Sequence, residues 1–255
     1  MTLNIKPFGR LGNNILQIIK CITENLYIYN HKYIDLTLLK NKNSNILKNF
    51  PDILEFPEFP NNNEIIEDIF WTIKTKVNKE QIIDIIDKFI KPYIDYELFD
   101  NKGINFEKDL IIHVRSGDIF GIDFPLNNNY KQPPYSFYKK IIEETNFKNI
   151  YILSEKYNIN PVIPKLLENY NNVQFLSNDL ETDFKIMLYS QYFVNSNSTL
   201  SFIVNSISKI KKKLFSSSLW NNGYNINEYQ YYNYEDYYKY EIKSYEEKID
   251  RLLNL

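Results

Sequence analysis

Near the middle of the chain, a short apolar run ends in side chains that could bind an anion. Leu110–Val114 is typical of a buried strand; it contains His113 and is followed by Arg115, a break at Ser116-Gly117, and Asp118. In open α/β sheets, ligands bind at the carboxyl ends of the strands. A guanidinium held there suits a phosphate, because its planar fork offers paired N–H donors and keeps its proton. The pattern therefore predicts an anion site around Arg115, with a surface ion pair as the alternative for this arginine alone.

Two further loops follow predicted strands and begin helices. The loop at residues 8–13 has two glycines in a tight turn, and the helix that follows it presents free N–H groups to an anion, although plain turn formation is the alternative. In the loop at residues 195–201, hydroxyl groups either cap the next helix or hydrogen-bond a phosphate. The candidate binding residues of these two loops are Gly9, Arg10, Gly12, Asn13, Asn197, Ser198 and Thr199.

Apolar strands alternate with amphipathic helices along the chain. A β-turn-α-β unit is predicted at residues 3–38, with its second strand at 33–38, and an amphipathic helix at residues 80–90 is predicted to end before Pro92. Five strands separated by helices, the first of these helices at residues 135–145, are predicted over residues 110–215. This alternation predicts an α/β fold with parallel sheets in two Rossmann-like units. We predict an N-terminal α/β unit at residues 1–103, a C-terminal Rossmann-like unit at 104–220 and a C-terminal helical arm at 221–255.

The composition excludes several classes of protein. The 255 residues carry a formal net charge of −2, which argues against a general nucleic-acid binder, because such a protein needs a basic surface. With one cysteine and two histidines, an intramolecular disulfide is impossible and a closed His/Cys zinc site is disfavoured. No apolar run is long enough to cross a bilayer, and the first residues do not form a signal peptide. We therefore expect no transmembrane segment and a cytoplasmic location, in a bacterium or in the host cell of a virus.

Several motifs, in chain order, resemble those of the α-1,2-fucosyltransferases (glycosyltransferase family 11). Gly9–Asn14 resembles their Gly-x-Leu-Gly-Asn-Gln opening, and Ile112–Asp118 resembles their His-x-Arg-Arg-Gly-Asp motif. Ser154-Glu155 stands where the family has a Phe-Ser-Asp segment. Asp183–Ser190, followed by Asn195–Ser201, resembles their Asp-x-x-x-Met-Ser and Ser-Asn-Ser-Thr-Phe-Ser block. The chain is similar to a divergent member of this family over most of residues 8–207.

The resemblance implies a GT-B-like fold, in which two Rossmann-like units face a cleft, with the N-terminal unit on the acceptor side. It implies GDP-fucose as the donor, a glycan hydroxyl as the acceptor, inverting transfer, and neither a metal nor a cofactor. Carried onto this sequence, Arg115 would bind the donor pyrophosphate, and His113 would hold the strand end or the nucleotide. Ser198 and Thr199 would lie near the phosphates, and Ser154 would contribute to substrate binding.

An acidic run at residues 179–183 has several interpretations. Its carboxylates could hold Mg²⁺ or Mn²⁺ beside a nucleotide sugar, or they could favour the start of the helix that follows. They could also accept hydrogen bonds from the base or ribose of a nucleotide. The family resemblance places Asp179 or Asp183 near the guanosine.

The chain departs from the family pattern at two places. Ser116 replaces the second arginine of the His-x-Arg-Arg motif, which removes one cation from the pyrophosphate site, and Phe202-Ile203 replaces an aromatic pair. For a general base we favour Asp123, because it lies where a related α-1,6-fucosyltransferase family places a catalytic glutamate. Asp118 is the second choice as a base, and its alternative role is to hold the loop or Arg115 in place.

Other functions stay open on the sequence alone. The missing second arginine favours a non-catalytic glycan- or nucleotide-binding protein with the same fold, or a transferase with another nucleotide-sugar donor. A phosphate-handling α/β enzyme such as a nucleotide hydrolase is a third class. The chain has no Gly-x-x-x-x-Gly-Lys-Ser/Thr segment, which argues against a P-loop enzyme.

Overall fold

A computed structural model of the chain provides the coordinates. It describes residues 2–29, 31–43, 45–56, 77–97, 103–120, 131–155, 160–217, 223–224 and 227–254. The chain divides into two compact units, Met1–Leu98 and Phe99–Leu255.

The N-terminal unit contains three strands and three helices among its described residues. The strands are β1 (Thr2–Asn4), β2 (Tyr33–Asp35) and β3 (Ile53–Glu55), and the helices are α1 (Leu11–Glu24, continued by a π-helical turn at Asn25–Tyr29), α2 (Thr37–Lys42) and α3 (Lys79–Phe89). The sheet order is β1-β2-β3, with β1 and β2 parallel and β2 and β3 antiparallel. The predicted β-turn-α-β unit is therefore confirmed, whereas the described sheet of this unit is mixed and not parallel throughout.

Local side-chain bonds explain where these elements begin and end. The predicted second strand, residues 33–38, stops at Asp35 because the Asp35 carboxylate accepts a hydrogen bond from Thr37 N at 2.9 Å, which turns the chain into α2. Asn78 and Gln81 cap α3 reciprocally. The backbone nitrogen of each residue donates to the side-chain oxygen of the other, at 2.9 Å in both cases. The predicted end of this helix before Pro92 is confirmed, because a 3₁₀ turn at Lys91–Tyr93 follows it.

A single six-stranded parallel sheet forms the centre of the C-terminal unit. Its strands are β4 (Leu110–His113), β5 (Ile150–Leu153), β6 (Val173–Leu176), β7 (Tyr192–Val194), β8 (Lys213–Ser216) and β9 (Glu228–Tyr231). The helices are α4 (Tyr135–Thr145), α5 (Val162–Asn169), α6 (Leu180–Tyr189), α7 (Thr199–Ile207), α8 (Glu235–Lys239) and α9 (Tyr245–Asn254), and a 3₁₀ turn spans Gly117–Ile119. The predicted α/β class and parallel sheet are confirmed for this unit.

The order of the six strands is β6-β5-β4-β7-β8-β9, which is the Rossmann order 3-2-1-4-5-6. The order reverses between β4 and β7, the position where open sheets of this kind bind ligands. Ile112 of β4 pairs with Ile152 of β5 and with Val194 of β7, so the three strands end side by side. The loops that follow β4, β5 and β7 thus start from one edge of the sheet.

The described residues after position 220 contribute to the same sheet and core. β9 pairs in parallel with β8 and adds a strand that the sequence pattern did not indicate. Tyr232 meets Phe137 of α4 edge-to-face, with ring centroids 5.7 Å apart, and Leu252 of α9 is fully buried.

No helix within the described ranges is long and apolar enough to cross a membrane.

Lys212 stands at the amino end of β8 with its side chain almost fully buried. Its ammonium donates to the carbonyl oxygens of Met187, Leu188 and Ser190 at 2.7, 3.1 and 2.6 Å. Burial lowers the pKa of Lys212 well below its usual value, and the three carbonyl dipoles oppose that shift by favouring the charged form. These bonds give the carbonyl groups at the carboxyl end of α6 a donor and connect this helix end to the start of β8.

We expect Lys212→Met to lower the free energy of unfolding by about 1–3 kcal/mol, because the substitution leaves buried carbonyl groups without their donor. Lys211→Met is the matched control, since Lys211 pairs with Glu228 at the surface and such pairs contribute about 0.5 kcal/mol. Urea unfolding followed by circular dichroism measures both. Equal stability of the two variants would show that the buried bonds contribute nothing.

Candidate functional site

Arg115 and the loop between β7 and α7 (residues 195–198, the β7–α7 loop) meet at the point where the strand order reverses. Arg115 follows β4 and is half-buried, and its Nη1 lies 3.4 Å from the carbonyl oxygen of Asn197. Asn160, which precedes α5, holds the backbone of Arg115 from the other side, since its Nδ2 donates to the Arg115 carbonyl at 3.0 Å. The structure thus brings the predicted arginine and the predicted hydroxyl-rich loop together.

His113, the last residue of β4, is fixed by two serines. Its Nδ1 lies 2.6 Å from Ser201 Oγ in α7 and 2.9 Å from Ser196 Oγ in the β7–α7 loop. Both serines are fully buried, and His113 is 8% exposed. The imidazole therefore joins the end of β4 to the first turn of α7.

The start of α7 contains the two hydroxyl residues that the sequence singled out. Ser198 is the N-cap, and its Oγ accepts a hydrogen bond from Leu200 N at 3.1 Å. Thr199 is the first residue of the helix. The capping interpretation of Ser198 is correct, and a cap of this kind holds the N-terminal N–H groups of the helix in place beside Arg115.

Asn197 connects this loop to the segment before α4. Its carbonyl accepts from Gln132 Nε2 at 3.2 Å as well as from Arg115, and its Nδ2 donates to the Lys131 carbonyl at 2.7 Å. Gln132 and Lys131 are both buried. Sequence reasoning missed these two residues, because they lie in a long loop with no periodic pattern and their partner is more than sixty residues away.

Ser116 and Ser154 form a buried hydroxyl pair, with their oxygens 2.7 Å apart. Ser116 stands where the family motif has its second arginine, and it is 1% exposed. The position is filled by the contact to the end of β5, so a guanidinium would not fit there without rearrangement. Ser154, one of the predicted binding residues, therefore lies beside the segment that follows β4, because it is hydrogen-bonded to Ser116.

Gly117 has φ +53°, a left-handed conformation that favours glycine. A Cβ atom there would lie 1.8 Å from Glu155 Oε2, so the Glu155 carboxylate lies directly against this backbone. Glu155 belongs to the Ser154-Glu155 motif, but sequence reasoning did not select it as a site residue.

Of the two candidate bases, Asp118 lies in the 3₁₀ turn Gly117–Ile119, and Asp123 lies outside the described residues. The C-terminal helix α9 holds this turn: Lys248 Nζ donates to the Ile119 carbonyl, and Tyr245 Oη donates to the Phe120 carbonyl at 2.8 Å. The backbone that carries Asp118 is therefore anchored by the last helix of the chain.

The acidic run after β6 caps α6. Asp179 is the N-cap, and its Oδ1 accepts from Thr182 N at 2.7 Å, while Asp183 Oδ1 accepts from Asn178 Nδ2 at 2.9 Å in the first turn. Within the described ranges, no group of three or more His, Cys, Asp or Glu side chains is arranged to hold a metal ion. These contacts support the helix-capping interpretation of the run.

The glycine loop belongs to the N-terminal unit, whereas the other predicted site residues belong to the C-terminal unit. Gly9 has φ +70°, and a Cβ atom there would lie 2.0 Å from Asn13 Nδ2, so the Asn13 side chain folds over the glycine. Arg10 is the N-cap residue of α1, but its side chain makes no capping bond, and Gly12 is in the first turn. Asn14 fixes the loop by donating to the Phe8 carbonyl at 2.7 Å.

No protein-family model and no curated protein sequence matches the chain. Among solved structures, the chain is similar to the E. coli heptosyltransferase WaaC with ADP, at 8% identity and a TM-score of 0.36 over 61% of this chain and 51% of that one. It is also similar to POFUT1 in complex with GDP-fucose, at 14% identity and a TM-score of 0.36 over 60% of this chain and 49% of that one. The chain thus spans about half the length of these proteins, and a likeness of this degree assigns no activity to it.

We expect Asp179→Ala to lower the free energy of unfolding by about 1 kcal/mol, because the helix loses its N-cap acceptor. Asp179→Asn should stay within about 0.5 kcal/mol of the original protein, since asparagine caps equally well. Thermal unfolding of the three proteins tests this order. A loss in the asparagine variant as large as in the alanine variant would show that the charge, and not the cap, stabilises α6.

Proposed function

We propose that this chain is a glycosyltransferase that moves a fucosyl or related deoxyhexosyl group from a GDP-sugar to a glycan hydroxyl. The observation that supports it best is the position of Arg115, which stands where the strand order reverses and contacts the β7–α7 loop at Asn197. The choice of a GDP-sugar rests on the ordered motifs that resemble the α-1,2-fucosyltransferases. A GT-B-like arrangement, with the N-terminal unit at residues 1–103 on the acceptor side, is part of the proposal.

The proposed reaction is a single displacement with inversion at the sugar C1. The acceptor oxygen attacks C1, the bond from C1 to the β-phosphate oxygen breaks, and GDP leaves with the electron pair. The hydroxyl proton passes to a carboxylate, for which Asp123 is the first candidate and Asp118 the second. Negative charge grows on the diphosphate as the bond breaks, so preorganised donors there lower the barrier.

Arg115 and the amino end of α7 are the proposed donors for that charge. A guanidinium offers two N–H groups in a fork, and a helix start adds backbone N–H groups and a partial positive charge. Removing one such donor from an enzyme typically costs roughly 3 kcal/mol of barrier, or about a hundredfold in rate. Together these groups take the role that a divalent cation has in metal-dependent transferases, so the reaction is proposed to need none.

The other site residues are assigned to binding. We assign His113, Ser154, Asn197, Ser198 and Thr199 to the nucleotide diphosphate, because they line the loops at the sheet edge. Asp179 and Asp183 lie at the start of α6, two strands away from β4 in the same sheet, and are assigned to the guanosine. In the N-terminal unit, the residues at the turn into α1 are assigned to substrate: Gly9, Arg10, Gly12 and Asn13.

We expect Arg115→Ala to weaken GDP binding about a hundredfold in titration calorimetry, because the variant loses a charged, two-pronged contact to phosphate. Arg115→Lys should be intermediate, since it keeps the charge and loses the fork. Lys211→Ala is the control, because Lys211 lies at the amino edge of β8, opposite to the loops. Unchanged GDP affinity in Arg115→Ala would remove this residue from the diphosphate site.

We expect release of GDP from GDP-fucose to be unchanged after treatment with EDTA. The Asp179 carboxylate accepts the capping bond from Thr182 N and the Asp183 carboxylate accepts from Asn178 Nδ2, so both already have protein partners, and the proposed donors to the diphosphate are Arg115 and the amino end of α7. Chromatographic measurement of GDP, with and without EDTA and Mn²⁺, tests this. Strict dependence on Mn²⁺ would contradict the proposed mechanism.

A non-catalytic nucleotide- or glycan-binding protein is the second candidate. The buried Ser116–Ser154 pair favours it, because that position supplies no cation to the phosphates. Thermal-shift screening of GDP-, UDP- and dTDP-sugars, followed by a test for sugar-nucleotide cleavage, separates the two candidates. A donor that binds but is not cleaved with any acceptor would favour the binding protein.

A further inference from the structure

Tyr238 of α8 connects the loops that follow β7 and β8. Its hydroxyl lies 2.6 Å from Oγ of Ser217, a buried residue directly after β8. Burial raises the pKa of Tyr238, and hydrogen bonds with Ser217 and Asn197 oppose that rise without cancelling it. The phenol is therefore neutral near pH 7, and it serves as a fixed hydrogen-bonding group rather than as an acid or a base.

The backbone carbonyl of Tyr238 makes a second connection to the β7–α7 loop. It accepts a hydrogen bond from Lys131 Nζ at 2.8 Å, and Lys131 is buried in front of α4. The carbonyl of Lys131 in turn accepts from Asn197 Nδ2 at 2.7 Å. Tyr238 thus acts on Asn197 in two ways, through its hydroxyl and through Lys131.

Asn197 carries the carbonyl that the Arg115 guanidinium contacts. The distance from Arg115 Nη1 to this oxygen is 3.4 Å, which exceeds the usual N–H···O length of about 2.7–3.2 Å. A small displacement of the carbonyl therefore breaks the contact. Hydrogen-bonded networks inside a protein hold their members in one arrangement, so the bonds around Tyr238 limit such a displacement.

We infer that Tyr238 is a positioning residue, which fixes Asn197 and thereby holds the Arg115 guanidinium in the orientation that a diphosphate requires. The diphosphate half of this inference rests on the proposed function. The order of the guanidinium is a property of the protein alone. Tyr238 is assigned no contact with substrate, because it acts through Asn197.

The order of the guanidinium is measured by NMR of protein with ¹⁵N-labelled arginine. The chain has three arginines, Arg10, Arg115 and Arg251, and the Nε signal that disappears in Arg115→Ala identifies Arg115. We expect a high heteronuclear NOE at this Nε in the original protein and a lower one in Tyr238→Phe, which lacks only the hydroxyl. Ser217→Ala removes the partner of that hydroxyl and should lower the NOE as well.

Tyr237→Phe is the matched control. Tyr237 is the neighbouring buried tyrosine of α8, and its hydroxyl has no hydrogen-bond partner among the described residues. Its ring meets the ring of Tyr238 edge-to-face at 5.2 Å between centroids, a contact that phenylalanine keeps. This variant should change neither the NOE of Arg115 nor the affinity for GDP.

Titration calorimetry with GDP tests the diphosphate half. Tyr238→Phe should bind GDP about threefold to tenfold more weakly than the original protein, because the guanidinium is then held in the binding orientation for only part of the time. In the Arg115→Ala background, the same substitution should cause no further loss, since the effect of Tyr238 passes through Arg115. A hydroxyl that merely stabilises the fold would not produce this dependence on Arg115.

Each outcome decides one part. An unchanged NOE at Arg115 in both Tyr238→Phe and Ser217→Ala overturns the positioning role. A lowered NOE with unchanged GDP affinity overturns the link to the diphosphate, and an equal loss of affinity in the Arg115→Ala background overturns the route through Arg115. Failure of the original protein to bind GDP contradicts the proposed function and the diphosphate half, while the NMR measurement still decides whether Tyr238 orders the guanidinium.

Discussion

The parallel pairing of β4 with β7 is the constraint on which the candidate site depends. Ile112 lies opposite Val194 in this pair, so residues 113–116 and 195–199 leave the sheet at the same level. A slip of one residue would turn every side chain of the strand to the other face, since successive residues of a strand point in opposite directions. His113 would then lose its contacts with Ser196 and Ser201, and Arg115 would lose its contact with the Asn197 carbonyl. Strand register thus sets the geometry of each polar contact at this edge.

These contacts also show how polar groups are accommodated in a buried environment. Parallel sheets are usually buried by the helices that connect their strands, so each polar group that is buried at the strand ends needs a protein partner. The β7–α7 loop meets this need with bonds from two other segments: the end of β4, which contributes His113 and Arg115, and the segment before α4, which contributes Gln132. Such a network is rigid when it is satisfied, and rigidity is what electrostatic stabilisation of a leaving group requires, because donors fixed in advance need no reorganisation during the reaction.

Local patterns in the sequence predict the parts of this molecule in which burial is continuous along the chain. The runs that form β4 to β8 are apolar and bounded by turn residues, and the helix at Tyr135–Thr145 has the bounds that its periodicity predicts. β3 and β9 were missed: β3 has only three residues, one of them buried, and lies between prolines, whereas β9 is exposed at three of its four residues and lies among tyrosines. The arginine and the serine loop were found because both follow buried strands. Gln132 was not, since only the folded chain brings it to Asn197.

Ser116 changes the electrostatic balance of the proposed diphosphate site. Its hydroxyl is paired with Ser154 inside the protein and supplies no charge, so we attribute the positive charge among the described loop residues at this sheet edge to Arg115 and to the amino end of α7. A helix start carries about half an elementary charge, which falls off within a turn. Under the proposed function, the guanidinium would therefore provide most of the charge that compensates a leaving diphosphate.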